Sequence, residues 1–194
     1  MRTLVVMVKA PIAGAVKTRL ARAIGSAEAV RFYRTTTAAT VRRLGRDPRW
    51  QLVLAVTPDA TRDAPFWSAD VQRIPQGKGD IGQRMARLLD AMAPGPVVLI
   101  GSDIPYVRPV HIARAFDRLR SADLVFGPAT DGGFWLVGQN RPGAVRGAFA
   151  GVRWSNQHTL ADTLANLEGR RVALADTLSD VDDERDWRRW RRDR

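Results

Sequence analysis

The sequence contains no cysteine and only two histidines, and these gaps remove whole classes of chemistry. Without a thiol there is no cysteine nucleophile, no zinc–thiolate centre and no disulfide frame, and a reducing, cytoplasmic location is expected. His111 and His158 stand far apart with no metal-ligand spacing between them, so surface or packing roles are expected of both. Lysine is scarce too: of the 31 Lys and Arg residues, all but Lys9, Lys17 and Lys78 are arginine. Long apolar runs are also missing. The opening run is broken by Lys9 and Pro11 well short of the roughly 18 residues a bilayer-crossing helix needs, so it reads as a buried strand and no membrane span is expected.

What remains is a chain of 194 residues, 45% hydrophobic, enough for one domain over 1–194 with a substantial core. Its net charge of +11 concentrates anions at the surface. The arginines are scattered, apart from a basic tail at 188–194, and no nucleic-acid-binding module is visible, so nucleic acid is not the expected partner. Solvated helix faces account for part of the excess; small phosphate-bearing substrates suit the rest.

Apolar runs of four to six residues alternate with helix-like segments, the pattern of an α/β fold whose mostly parallel sheet is covered by helices on both faces. Strands are expected at 3–8, 51–56, 97–100, 124–126, 134–137 and 172–174, with a minor one at 70–74. Ser26 reads as the N-cap of a helix that Gly45 stops. Ile81, Met85, Leu88, Leu89 and Met92 mark another, broken by Pro94, Gly95 and Pro96. Further helices are expected over 109–119, 157–167 and 183–192, the last with an acidic start and basic end that suit its macrodipole. The run 97–100 is wholly apolar, as a strand covered on both faces must be, and it delivers Ser102 and Asp103 to its carboxyl end, where open α/β sheets hold ligands.

Four segments carry candidate chemistry. The first loop, KAPIAGAVKTRL, sets Lys9, Pro11, Gly14, Lys17 and Arg19 just after the first strand; a glycine lets backbone N–H groups approach phosphate, lysine brings point charge and arginine a two-pronged donor. It lacks the GxxxxGK[ST] and GxGxxG spacings. The second, QGKGDIGQRM, offers Gly77, Gly79, Asp80, Gly82 and Arg84: either a tight turn with Asp80 as helix cap, or a loop whose backbone touches a base or ribose. In the third, GSDIP, Asp103 is either a turn residue or a ligand for a divalent magnesium or manganese ion shared with substrate phosphates. The fourth, GPATDGGFWLVG, places Asp131 before two glycines at a strand border, as a turn residue, a second metal ligand or a proton acceptor. Asp180, Asp182 and Asp183 either complete a metal site or cap the last helix. Trp135 and Trp154 are core residues or stacking platforms; Trp187 and Trp190 read as anchors of the last helix.

Taken together and in this order, these four motifs resemble the DUF2064 family, described as GT-A-type glycosyltransferase-like proteins of the nucleotide-diphospho-sugar transferase superfamily and similar in outline to guanylyltransferases. The resemblance implies a GT-A fold, a nucleotide bound over the carboxyl edge of the sheet by the loop from Lys9 to Arg19, and Asp103 in place of the superfamily's metal-binding aspartate. It implies a nucleotide-sugar or NTP with a small acceptor as partners, and transfer of a glycosyl or a nucleotidyl group. Where relatives often carry a WST-like stretch this chain has Trp154, Ser155 and Asn156. Asp180, Asp182 and Asp186 match a DxDxxxD ending of nucleotidyltransferase-like relatives.

Overall fold

The computed structural model describes residues 1–193. Seven strands form one sheet: β1 (Thr3–Lys9), β2 (Gln51–Thr57), β3 (Gln72–Pro75), β4 (Val97–Gly101), β5 (Leu124–Pro128), β6 (Phe134–Gln139) and β7 (Val172–Leu174). Their order is β3-β2-β1-β4-β6-β5-β7. All neighbours run parallel except β6, which lies antiparallel between β4 and β5. Six of the seven strands therefore point their carboxyl ends to one edge. The helices are α1 (Thr18–Ile24), α2 (Ser26–Gly45), α3 (Ile81–Ala91), α4 (Pro109–Arg118), α5 (Thr159–Ala165) and α6 (Glu184–Arg192).

Strand alternation sorts the core into two layers. Leu4, Val6 and Val8 of β1 pack with Leu52, Leu54 and Val56 of β2 beneath Val41 and Leu44 of α2 and Ile112 and Phe116 of α4. Val5 and Ala55 turn the other way and meet Met85, Leu88 and Leu89 of α3, with Leu99, Phe126 and Val137. Helices thus cover both faces, as the unbroken apolar runs of β1 and β4 require. A satellite cluster of Leu20, Ala29, Phe32 and Val181, with Trp187 and Trp190 packed on it, docks α1 and α6 beside the sheet edge; Trp190 meets Phe32 edge-on at 4.8 Å.

Three local readings are corrected. Gly25, not Ser26, occupies the N-cap of α2, and Ser26 is its first helical residue. The seven-residue α1 had no counterpart in the sequence reading: it is short, contributes one buried residue, Leu20, and has no capping side chain. The minor strand is shifted to Gln72–Pro75. By contrast Asp80 caps α3 in a reciprocal capping box with Gln83, and Asp183 caps α6 by accepting from the N–H of Asp186. Among the described residues no helix is long and apolar enough to cross a membrane.

Candidate active site

The parallel register sets Met7 of β1 beside Gly101 of β4, so the segments leaving those two strands, 10–17 and 102–107, rise together. The turn after β5, carrying Asp131, and the segment after β7 arrive at the same edge. That last segment is stitched down by a bridge between Ala129 and Leu178 and by the Val181 N–H, which donates to the carbonyl of Asp103. Between these loops lies a cleft of about 490 Å³ whose walls include Lys9, Lys17, Ser102, Asp103, Asp131 and Asp180.

Lys17 is its electrostatic centre. The Nζ donates to Asp182 Oδ1 at 2.7 Å and stands 2.9 Å from Asp103 Oδ2, with only 5% of the side chain exposed. Burial works against the ammonium, but Asp103 and Asp182 together outweigh it and hold the Lys17 pKa above the usual lysine value. Its backbone is left-handed, at φ 49 and ψ 43, a conformation that costs a non-glycine residue roughly 1–2 kcal/mol. That cost is offset by the paired ammonium, which bonds the first loop, the end of β4 and the C-terminal segment to one another. The carboxylates differ from the lysine in exposure: the Asp103 and Asp182 side chains are 43% and 40% open to solvent, and Asp103 is one of the cleft walls.

Tyr33, from α2, braces the site from behind. Its hydroxyl accepts from the Lys9 N–H at 2.8 Å and lies 3.1 Å from Ser102 Oγ, next to Asp103. Burial, reinforced by the charge of Asp103, pushes the Tyr33 phenol pKa up, so it stays protonated. Gln76 is similarly structural, spanning the carbonyls of Val8 and Ala55 with its buried amide. Asp131 Oδ1 accepts from the Gly133 N–H at 2.9 Å, through a turn that needs a positive φ of 88 at Gly132.

Asp180 carries the most perturbed acid. Burial first, then the negative charges of Asp182 and Asp131, raise its pKa from 3.8 to about 6. The folded protein thus holds this proton more tightly than the unfolded chain, and the stability it lends is full below pH 3.8 and is lost as pH rises through about 6. Replacing Asp180→Asn should flatten that part of the profile; melting temperatures from pH 4 to 6.5 measure it, and an unchanged slope would place the titration elsewhere.

The structure brings Lys9, Lys17, Ser102, Asp103 and Asp131 into one cleft. Pro11, Gly14 and Arg19 belong to the same rim without lining it; the Arg19 guanidinium is mostly exposed, 3.9 Å from Asp182. The glycine-rich segment is turned to local use. The Gly77 N–H donates to Asp59, Arg84 Nε donates to the Gly79 carbonyl, and Arg87 takes the carbonyls of Gln76 and Lys78. Gly82 is buried where a Cβ would meet the Trp154 ring at 2.6 Å. Trp154 and Trp135 both line the cleft, but Trp135 is almost wholly buried, its Nε1 donating to the Asp176 carbonyl. His111 accepts from the Arg108 N–H within the α4 cap, and His158 precedes α5 as its N-cap; both are helix-end residues. Tyr33 and Gln76 were missed as site residues; their only signal was a polar side chain inside an apolar stripe and one directly after a strand.

A divalent cation is tested by this donor set. Asp103, Asp131, Asp180 and Asp182 are all hard oxygen donors, and Asp180 holds its proton because it is buried and then because Asp182 and Asp131 stand near it. Among the described residues no three acids or histidines converge closely enough to hold an ion unaided. The residues therefore fit magnesium or manganese in the form that takes one or two carboxylates and completes its shell with substrate phosphates and water.

Comparison with known proteins places this geometry. A protein from Desulfovibrio desulfuricans G20, proposed to be a nucleotide-diphospho-sugar transferase, has a crystal structure that superposes with a TM-score of 0.81 at 29% identity, over 94% of this chain and 82% of the other. A nucleotidyl transferase from Methanothermobacter gives a TM-score of 0.65 at 15% identity, covering 100% and 97% of the two chains. Rv0371c from Mycobacterium tuberculosis H37Rv, crystallised with manganese, gives 0.52 at 20%, covering 97% and 96%; these two share the fold. No curated protein matches. The family model described as an uncharacterized protein conserved in bacteria, DUF2064, matches residues 40–156, a span that includes the capped glycine-rich segment, Asp103 and Asp131, and by that match the chain belongs to the DUF2064 family.

Proposed function

We propose that this protein, acting as a single domain, transfers a glycosyl group from a nucleotide-diphospho-sugar to a small acceptor, with magnesium or manganese held at Asp103. The observation that carries the reading is Asp103 at the carboxyl end of β4, half open to a nucleotide-scale cleft and paired with a buried lysine on the loop that follows β1. The likeness to a 29% identical protein proposed to be a nucleotide-diphospho-sugar transferase supports it, and the manganese complex of Rv0371c supports the metal. The absence of cysteine supports a cytoplasmic setting.

Asp103, on the cleft wall, would hold the cation, which when bound supplies positive charge to the diphosphate oxygens. Lys17 keeps the two carboxylates in place, while Lys9 and Arg19, exposed at the rim, add charge for the departing nucleoside diphosphate. In the reaction the bond between the anomeric carbon and the diphosphate oxygen breaks, and a bond from that carbon to the acceptor oxygen forms. The hydroxyl proton passes to the Asp131 carboxylate, whose Oδ1 is oriented by the Gly133 N–H. Trp154 offers an aromatic wall for the sugar or base.

The second reading, nucleotidyl transfer from an NTP to a phosphorylated acceptor, is favoured by the fold shared with the Methanothermobacter nucleotidyl transferase over nearly the full length of both chains. One experiment separates them: pyrophosphate release is followed with each of the four NTPs, beside nucleoside-diphosphate release from UDP- and GDP-sugars. The proposal expects a nucleoside diphosphate from one sugar nucleotide, suppressed by chelator, and no pyrophosphate. Pyrophosphate from any NTP overturns it in favour of the second reading. Nucleotide binding that ignores chelator and yields no product removes both.

A further inference from the structure

A second depression is larger than the cleft at the strand ends. A groove of about 850 Å³ runs between α2 and the connection from β2 to β3, and nothing in the transfer reading uses it. Its floor is the protein's own core: Val41, Leu54 and Trp67 are each less than 10% exposed yet form part of its lining. The Trp67 N–H is already donated to the Thr61 carbonyl, so the indole offers the groove only ring surface. Phe66, 39% exposed, stands at the rim where a large aromatic normally finds cover.

The opposite lip is basic. Arg31, Arg34 and Arg42 on α2 and Arg46 at its C-cap line the groove at spacings of three, eight and four residues, with Ala38 in the gap. On a helix these positions form one continuous stripe. Arg31 has a distant partner in Glu28 at 3.7 Å, while the guanidinium groups of Arg34, Arg42 and Arg46 have no ion pair among the described residues. One acid, Asp70, lies among the lining residues. A volume of this size, apolar inside with a few charged groups on one side, is the ordinary make-up of a small-molecule site. The charges name the complementary ligand.

We propose that this groove binds a free amphipathic anion, an aliphatic or aromatic body carrying a phosphate or carboxylate head, with the body over Trp67 and Val41 and the head against Arg34, Arg42 and Arg46. The proposal is independent of the nucleotide reading, since the two depressions share only Tyr33 among their lining residues. Tyr33 gives the groove a mechanical link to the transfer site, because its hydroxyl positions Lys9 and Ser102. A ligand against the ring therefore bears on the loop that begins the phosphate-facing rim.

The test is titration calorimetry of the full chain with dodecyl phosphate below its micelle concentration, beside dodecyl maltoside, which has the same tail and a neutral head. Dodecyl phosphate is expected to saturate one site, and the maltoside to bind at least tenfold more weakly. The pair Arg34→Gln/Arg42→Gln should weaken dodecyl phosphate at least tenfold with an unchanged melting temperature. Ala38→Trp, which fills the exposed middle of the groove, should abolish binding while leaving the arginines in place, so a defect in the first variant is not mistaken for misfolding. Equal affinity for the two heads, or binding indifferent to both variants, overturns the proposal. Co-sedimentation with phosphatidylglycerol vesicles without binding of monomeric dodecyl phosphate also overturns it, in favour of a membrane-facing surface.

Discussion

The variant Asp103→Asn/Asp182→Asn should lose about 3–5 kcal/mol of stability, because it leaves the Lys17 ammonium 95% enclosed with both counter-charges gone. For a chain of this size the loss is a fall of roughly 10 °C in Tm. Each single replacement should cost far less than half of that, since the remaining carboxylate, within 3 Å of Nζ, still neutralises the lysine. The two effects are therefore strongly non-additive, as expected where one partner is shared. Adding Lys17→Met to the double variant should return most of the lost stability, since an apolar side chain of similar length needs no counter-charge. Thermal melts of the four proteins decide the matter. Additive single losses, or no recovery with Lys17→Met, would mean that the lysine is solvated in solution and pairs with neither acid.

Asp103→Asn alone should separate function from stability. Asparagine keeps the shape of the turn and its neighbour Ser102, and Asp182 keeps Lys17 paired, so the melting temperature should stay within a few degrees. Transfer activity, by contrast, should fall on the order of 100-fold or more, the scale for losing one preorganised charge-stabilising group in an active site, and manganese-dependent nucleotide binding should disappear. Turnover assays together with manganese binding followed by electron paramagnetic resonance give the two readouts. Retained manganese binding with retained turnover would make Asp103 a plain turn residue and remove the basis for the metal.

The parts of this protein legible from sequence are those fixed by local pattern. The unbroken apolar run of β4 announced both its double coverage and the residues it would present at its end. Asp80 offered a helix cap as one of two alternatives for its loop, and it is the cap of α3 in the structure, while β4 runs over Val97–Gly101. What could not be read is long-range. Asp182 meets Lys17 across 165 positions, and nothing in either segment marks the other. The glycine-rich segment shows the converse limit. Its glycines suggested a backbone open to a base or ribose, but the groups that meet it are the protein's own side chains, Arg84, Arg87 and Asp59, because an arginine one or two turns into α3 reaches back to its carbonyls. Helix α1 escaped notice because seven residues with one buried leucine show no periodicity.

The lysine knot that joins residue 17 to residue 182 has a bearing on how the protein comes into being. A chain emerging from the ribosome can lay down β1, β2 and β4 early, but the cleft at their carboxyl ends stays open until the segment beyond β7 has been synthesised and laid down beside Asp103. A protein clipped after β7 would keep its seven strands but lose Ala175, Leu178, Val181 and α6 from the packing, leaving Lys17 with one carboxylate and the cleft without Asp180. Completion of the cleft and its loss to proteolysis would then turn on a single late event, the arrival or removal of everything that follows β7.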